Sequence, residues 1–301
     1  MDTKQQINEK IVEYTNKLIS EASSVSLEIN SVRKGLIKVV ETEIEPILSD
    51  TYGKNGVNLL YHKVIYEMWG NKVPVFCTIV HATDKSCLVN YLSSSEVREN
   101  SFEIDIKTNQ EKLFLTLFFI RNGLFFNGNA DSISHELEHA YQHFCKKNNV
   151  KDYDPFVKDR NNYQKYVNLC NSGDMVETCI GFVGYLSDYG EQDAIIQGLS
   201  GEMDGTSSGE VYVKFEQTAT INVLNNYKTA LNILKKRYVK EKYKKQIDSI
   251  CSEFNITFNK FIKNGEVGLK RLEYKIGKVL RYYSNNGEKT LFERIIEDLD
   301  N

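Results

Sequence analysis

Five consecutive residues carry the strongest chemical signal in the chain: His135-Glu136-Leu137-Glu138-His139. On a helix, residues four apart lie on one face, so the imidazoles of His135 and His139 can close on a single metal ion. Neutral imidazole suits zinc, and a third protein ligand would leave the fourth tetrahedral position to water. Glu136 stands beside that ion and can take a proton from the water. The chemistry such an arrangement serves is metal-assisted hydrolysis of a peptide or similar acyl bond.

These groups need a helix with one buried face, and the flanking residues supply it. Ile133, Leu137, Ala140, Tyr141 and Phe144 recur at helical spacing, and Asp131, Ser132 and Ser134 offer capping chemistry at the start. His143 continues the histidine series at spacing four, but on a continuous helix it stands about 12 Å along the axis from His135, too far for one ion. Cys145 would need a glycine turn that this stretch lacks. His62 and His81 fall in strand-like segments and read as structural residues.

Upstream, residues 57 to 128 read as strands. Val57–Tyr66, Val73–His81 and Phe102–Ile106 are rich in β-branched and aromatic residues, while the apolar run Leu113–Ile120 suits either a buried strand or a buried helix. Asn122-Gly123 and Asn127-Gly128 are turn signals around Leu124–Phe126, so a small sheet leads by a turn into the motif helix. Residues 1 to about 50 show helical periodicity, first at Ile7, Ile11, Tyr14, Leu18 and Ile19, then at Leu27, Ile29, Val32, Leu36, Val39 and Val40. Downstream, after Lys146-Lys147-Asn148-Asn149, the polar stretch to about 172, with Pro155, reads as a loop. Helical spacing returns at Met175, Val176, Cys179, Ile180, Val183 and Leu186. Gly198–Gly209 reads as a flexible connector, and residues 210 to 299 as mainly helical, with stripes at Ile221–Leu234, Leu269–Tyr283 and Phe292–Leu299.

A second stretch, Tyr185-Leu186-Ser187-Asp188-Tyr189-Gly190-Glu191-Gln192-Asp193-Ala194, completes a recognisable pattern. With His135-Glu136-Leu137-Glu138-His139-Ala140 and Glu191-Gln192-Asp193-Ala194, the chain resembles the zincin metallopeptidases, and within them the compact gluzincin type found in bacterial and bacteriophage genomes. The resemblance spans roughly residues 100 to 205. It implies one zinc ion held by His135, His139 and Glu191, with Glu136 as general base and proton shuttle. It leaves Asp193, Glu177 and Glu202 as other carboxylates for the third position, Asp193 also as a group that orients an imidazole. An oxyanion donor is needed as well, and Tyr185, Tyr189, Tyr141 and His143 lie near the motifs. Two departures stand out: Glu138 puts a charge where the superfamily usually has none, and Ile195 stands where the thermolysin-like pattern has an aspartate.

The whole chain sets the bounds. Its 301 residues are 41% hydrophobic and 26% charged, an ordinary globular composition, and the net charge of −3 makes no electrostatic case for nucleic acid or an anionic membrane. The polar start, Met1 to Gln6, carries no secretory signal, and no apolar run approaches a membrane span, so a cytoplasmic location is expected, or a virion for a bacteriophage protein. The six cysteines lack C-x-x-C spacing and read as free thiols. The expectation is an α+β chain: a helical extension over 1–52, a zincin-like domain of small sheet plus motif helix over 53–205, and a helical region over 206–301. A peptide or protein substrate is the expected partner, with protein assembly through the helical extensions as a second role. A virion structural protein, a toxin-like protease and a non-peptide acyl hydrolase are the other classes the same residues admit.

Overall fold

The structure, a computed structural model, describes residues 28–94, 100–105, 107–121, 124–126, 130–149 and 160–285. The periodicity at Ile7–Ile19 and Leu27, Ile106, the turn signals at Asn122-Gly123 and Asn127-Gly128, Pro155 and the stripe Phe292–Leu299 lie outside the described residues. The fold is α+β, and the chain divides into two compact units, Met1–Asn149 and Val150–Asn301.

The first unit joins a helix over 28–44 (α1) to strands Val57–Met68 (β1) and Asn71–Ala82 (β2), helix Lys85–Ser94 (α2), strands Ser101–Ile104 (β3), Glu111–Ile120 (β4) and Leu124–Phe126 (β5), and helix Ala130–Lys147 (α3). The strands form one mixed sheet in the order β1-β2-β4-β3, with β5 also on β4. β1 and β2 are an antiparallel hairpin, β2 and β4 run parallel, and β3 pairs antiparallel to β4 from Ser101↔Phe114 to Ile104↔Glu111. The run Leu113–Ile120 is therefore a strand, buried because both faces of β4 are covered.

Alternation decides what each face meets. Val64 and Met68 of β1, Val75, Cys77 and Ile79 of β2, and Leu113, Leu115 and Leu117 of β4 line one face, against Ile29, Leu36 and Val40 of α1 and Ile133, Leu137 and Ala140 of α3. Val80, Ala82 and Phe118 point the other way, onto Leu88 of α2. A hairpin turn that the sequence pattern did not announce joins β1 to β2. Met68 pairs with Asn71, and the two residues between, Trp69 and Gly70, both have positive φ, 49° and 74°. That is the mirror-image turn whose twist suits a two-residue hairpin, usually built from asparagine and glycine. Trp69 accepts the left-handed backbone because its ring packs on Tyr141 and Phe144 of α3, with centroids 5.2 and 6.2 Å away.

The second unit is helical: Arg160–Cys170 (α4), Met175–Leu186 (α5), Tyr189–Met203 (α6), Val211–Phe215 (α7), Ala219–Tyr238 (α8), Glu241–Glu253 (α9) and Phe258–Ser284 (α10). Asp174, Asp188, Thr218 and Thr257 cap α5, α6, α8 and α10 with side-chain oxygens on the first-turn amides. Its core joins Ile180 and Val183 of α5, Leu199 of α6, Tyr227 and Leu231 of α8, Ile247 of α9, and Leu272 and Ile276 of α10. Two expectations are corrected here. The stretch to 172 is not all loop, because Tyr163, Tyr166 and Leu169 give α4 a helical stripe among polar neighbours. The connector begins late, because α6 runs to Met203 with Gly198 and Gly201 buried inside it.

The division at 149/150 does not coincide with the expected boundaries at 52/53 and 205/206. The physical reason is burial: α1 lies in the same core as the sheet, and α5 and α6 share a core with α8 and α10. All six cysteines are free, with Cys77, Cys145, Cys179 and Cys251 buried.

Two glycines let α4 and α5 approach closely. A Cβ on Gly181 would stand 2.5 Å from the Cys170 backbone nitrogen, and one on Gly184 would stand 2.2 Å from the Tyr166 ring. Gly184→Ala is expected to lower stability by about 1–3 kcal/mol through overpacking, measured by urea unfolding. In the first unit, burial lowers the pKa of His81, with Asp50 and Arg121 pulling in opposite directions. The unfolded chain then binds more protons, so stability rises with pH; it is fully present above the unfolded value near 6.5 and is lost as pH falls toward the depressed folded value. His81→Gln should flatten that acid-side loss in unfolding curves between pH 7 and pH 5, pH values spanning about the ordinary histidine range.

Candidate functional site

The first half of the site sits on α3. Ile133, Leu137 and Ala140 bury one side of the helix beneath the sheet, which turns His135, Glu136 and His139 to a half-buried side. Arg33 of α1 donates from Nη1 to Ser134 Oγ at 2.9 Å, and Asn100 ties the start of α3 to β4, donating to Ser132 Oγ while accepting from the Thr116 amide. With its rotation set, the helix presents both imidazoles to one point: their Nε2 atoms are 3.2 Å apart and their rings nearly perpendicular. Glu136 is held by β3, the Phe102 amide donating to its Oε2 at 2.8 Å.

A polar relay sets the state of His139. A carboxylate only accepts, so Gln142 turns its amide nitrogen toward Glu138, donating to Oε1 at 3.2 Å. That leaves the Gln142 Oε1 facing His139 Nδ1, also at 3.2 Å. The carbonyl can only accept, so Nδ1 carries the hydrogen and Nε2 presents a lone pair, the form an imidazole needs in order to ligate. Glu138, the charge that departs from the superfamily pattern, is 2% exposed and heads this relay.

The second half sits on α6. Asp188 caps the helix, accepting from the Gly190 and Glu191 amides. Glu191, buried at 3% exposure, accepts from Tyr163 of α4 at 2.8 Å through Oε1 and from Tyr185 of α5 through Oε2. Burial and the adjacent carboxylate push the Tyr163 phenol above its ordinary range, so it remains a donor.

His135, His139 and Glu191 form a group that could hold a metal ion: each offers one ligand atom, and these atoms lie within 4.8 Å of one another. Two imidazole nitrogens and one carboxylate oxygen are a donor set that fits zinc. Of the other residues singled out from sequence, Tyr185 meets Glu191. Asp193 pairs with Lys275 of α10, with Arg271 at 3.9 Å, so this carboxylate is drawn to α10 and away from the ligand role. Tyr189 carries the Arg271 guanidinium 3.5 Å over its ring. Glu202 stands three turns beyond Glu191 on α6, about 16 Å along a helix axis. Glu177 lies in the first turn of α5. Tyr141 packs on Trp69, and His143 meets Glu111 of β4 at 3.2 Å, its pKa lowered by burial. His62 pairs with Glu43, and His81 meets Tyr52.

Sequence reasoning missed Tyr163 and Gln142. The signal for Gln142 was its place three residues after His139, one turn along; the signal for Tyr163 was the stripe with Tyr166 and Cys170, obscured by the polar residues between. No protein-family model, curated protein or solved structure matches this chain.

If the relay sets the His139 tautomer, Gln142→Leu should weaken zinc binding about 10- to 100-fold, as removal of such a partner does elsewhere, while thermal unfolding in chelator changes little. Competition titration with a chromophoric chelator measures it.

Proposed function

We propose that this chain is a zinc-dependent metallopeptidase of zincin type, acting in a cytoplasm, where free thiols such as its six cysteines persist. The observation that carries the reading is the convergence of His135, His139 and Glu191 in one potential ligand group with Glu136 adjacent in sequence to the first. A zinc ion bound there would supply Lewis acidity and make the attacking water more acidic. His135 and His139 would hold the metal through imidazole nitrogens, and Glu191 would add a carboxylate oxygen to the set. Glu136 accepts the proton from the water and returns it to the leaving amine. The Phe102 amide keeps the Glu136 carboxylate turned toward its task.

A substrate in extended form suits the surroundings. Among the described residues β3 pairs with β4 alone, and the Phe102 amide donates outward to Glu136. An edge of that kind can take an extended peptide as an added strand, which brings a backbone carbonyl beside the base.

Glu136→Gln keeps the ligands and removes the base. Zinc stoichiometry is expected to stay at the wild-type value while cleavage of a mixed peptide library, read by mass spectrometry, falls by at least about 100-fold. Equal cleavage by the two proteins would exclude this mechanism.

A further inference from the structure

Glu191 is an unusual ligand candidate because of what already holds it. A glutamate side chain has three rotatable bonds, and a ligand that must be ordered at the moment of binding loses affinity to that ordering. Here three helices converge on one carboxylate. Glu191 is the third residue after the Asp188 cap, a spacing at which a glutamate side chain can turn back to the capping residue's amide. Its oxygens accept phenols: Oε1 from Tyr163 of α4 and Oε2 from Tyr185 of α5, the two rings 5.7 Å apart. One donor on each oxygen fixes both the position of the carboxylate and its rotation. A carboxylate offers about four lone-pair sites, so two phenols do not exhaust its capacity for a cation.

The reach of Tyr163 depends on the helix pair below it. Tyr163 stands one turn before Tyr166, and Tyr166 lies against Gly184, where a side chain on α5 would collide with its ring. Gly181 likewise admits the backbone of α4. The close α4–α5 approach thus brings a phenol from outside α5 and α6 to an oxygen that Tyr185 does not cover.

We infer that Tyr163 and Tyr185 are positioning residues for the metal: they hold Glu191 preformed as a ligand, and they set the zinc affinity of the site. The inference rests on the metal reading above and adds that the third ligand is rigid before metal arrives. It also assigns Tyr185 to the ligand and not to the substrate carbonyl.

The test is zinc affinity of the full chain by chelator competition, for the wild type, Tyr163→Phe, Tyr185→Phe and Glu191→Ala, and for each phenylalanine variant combined with Glu191→Ala. Thermal unfolding in chelator is followed alongside. Each Phe substitution is expected to weaken zinc binding about 10-fold or more when Glu191 is present. Neither should change affinity further once Glu191 is alanine, because the group they hold is gone. Wild-type affinity in both Phe variants would overturn the inference and leave the metal centre standing. So would an equal loss in the Glu191→Ala background, which marks a general structural effect. A wild-type chain that binds no zinc, or whose affinity ignores Glu191→Ala, overturns the metal reading and the inference with it.

Discussion

The first unit depends on one constraint: α3 must bury the side carrying Ile133, Leu137 and Ala140 against the sheet. Burying a leucine or isoleucine side chain contributes about 1.5–3 kcal/mol, so the rotation of α3 about its axis is not adjustable without losing several such terms. Everything polar on the helix then has its direction assigned. His135 and His139 meet on the half-buried side, Ser134 reaches Arg33, and Glu138 goes into the interior with Gln142 as its partner. The chemistry of the helix follows from what its apolar residues require.

Glu138 and Glu191 show two solutions to the same difficulty. A carboxylate taken out of water loses strong hydration and persists only with donors aimed at it. Glu191 has two phenols from different helices, and Glu138 has the Gln142 amide. In both, these donors are neutral groups. Asp193, two residues after Glu191, meets the same need with Lys275 and Arg271, and its charge is compensated.

Much of this was legible in the residues. The motif helix, the strands over 57–82, α5 and the helical character beyond 210 follow from periodicity, because the spacing records the buried side of each element, whereas the unbroken apolar run of β4, covered on both faces, suited a strand and a helix equally. That His135, His139 and Glu191 could share a metal ion was suggested by residue chemistry and the resemblance. What stayed hidden was long-range. Tyr163 lies 28 residues from the group it serves, in a stretch whose asparagines, glutamines and lysines resemble a loop. The glycines of α6 look like breakers in a string of letters, yet they are buried inside the helix. Trp69 in a left-handed turn has no local sequence signal at all, since its reason is the aromatic pair on α3.

The parallel pairing of β2 with β4 has a consequence for the order of assembly. The β1–β2 hairpin closes over two residues, but Val75 meets Leu113 only after a 38-residue excursion through α2 and β3. Loop-closure entropy makes the second pairing the slower one, and α3 has no complete surface to dock on until it is made. The hairpin can therefore exist as a nucleus early, with Trp69 already poised at its tip. The histidine pair comes into being only at the end of that sequence, when the far strand has arrived and the helix has a floor.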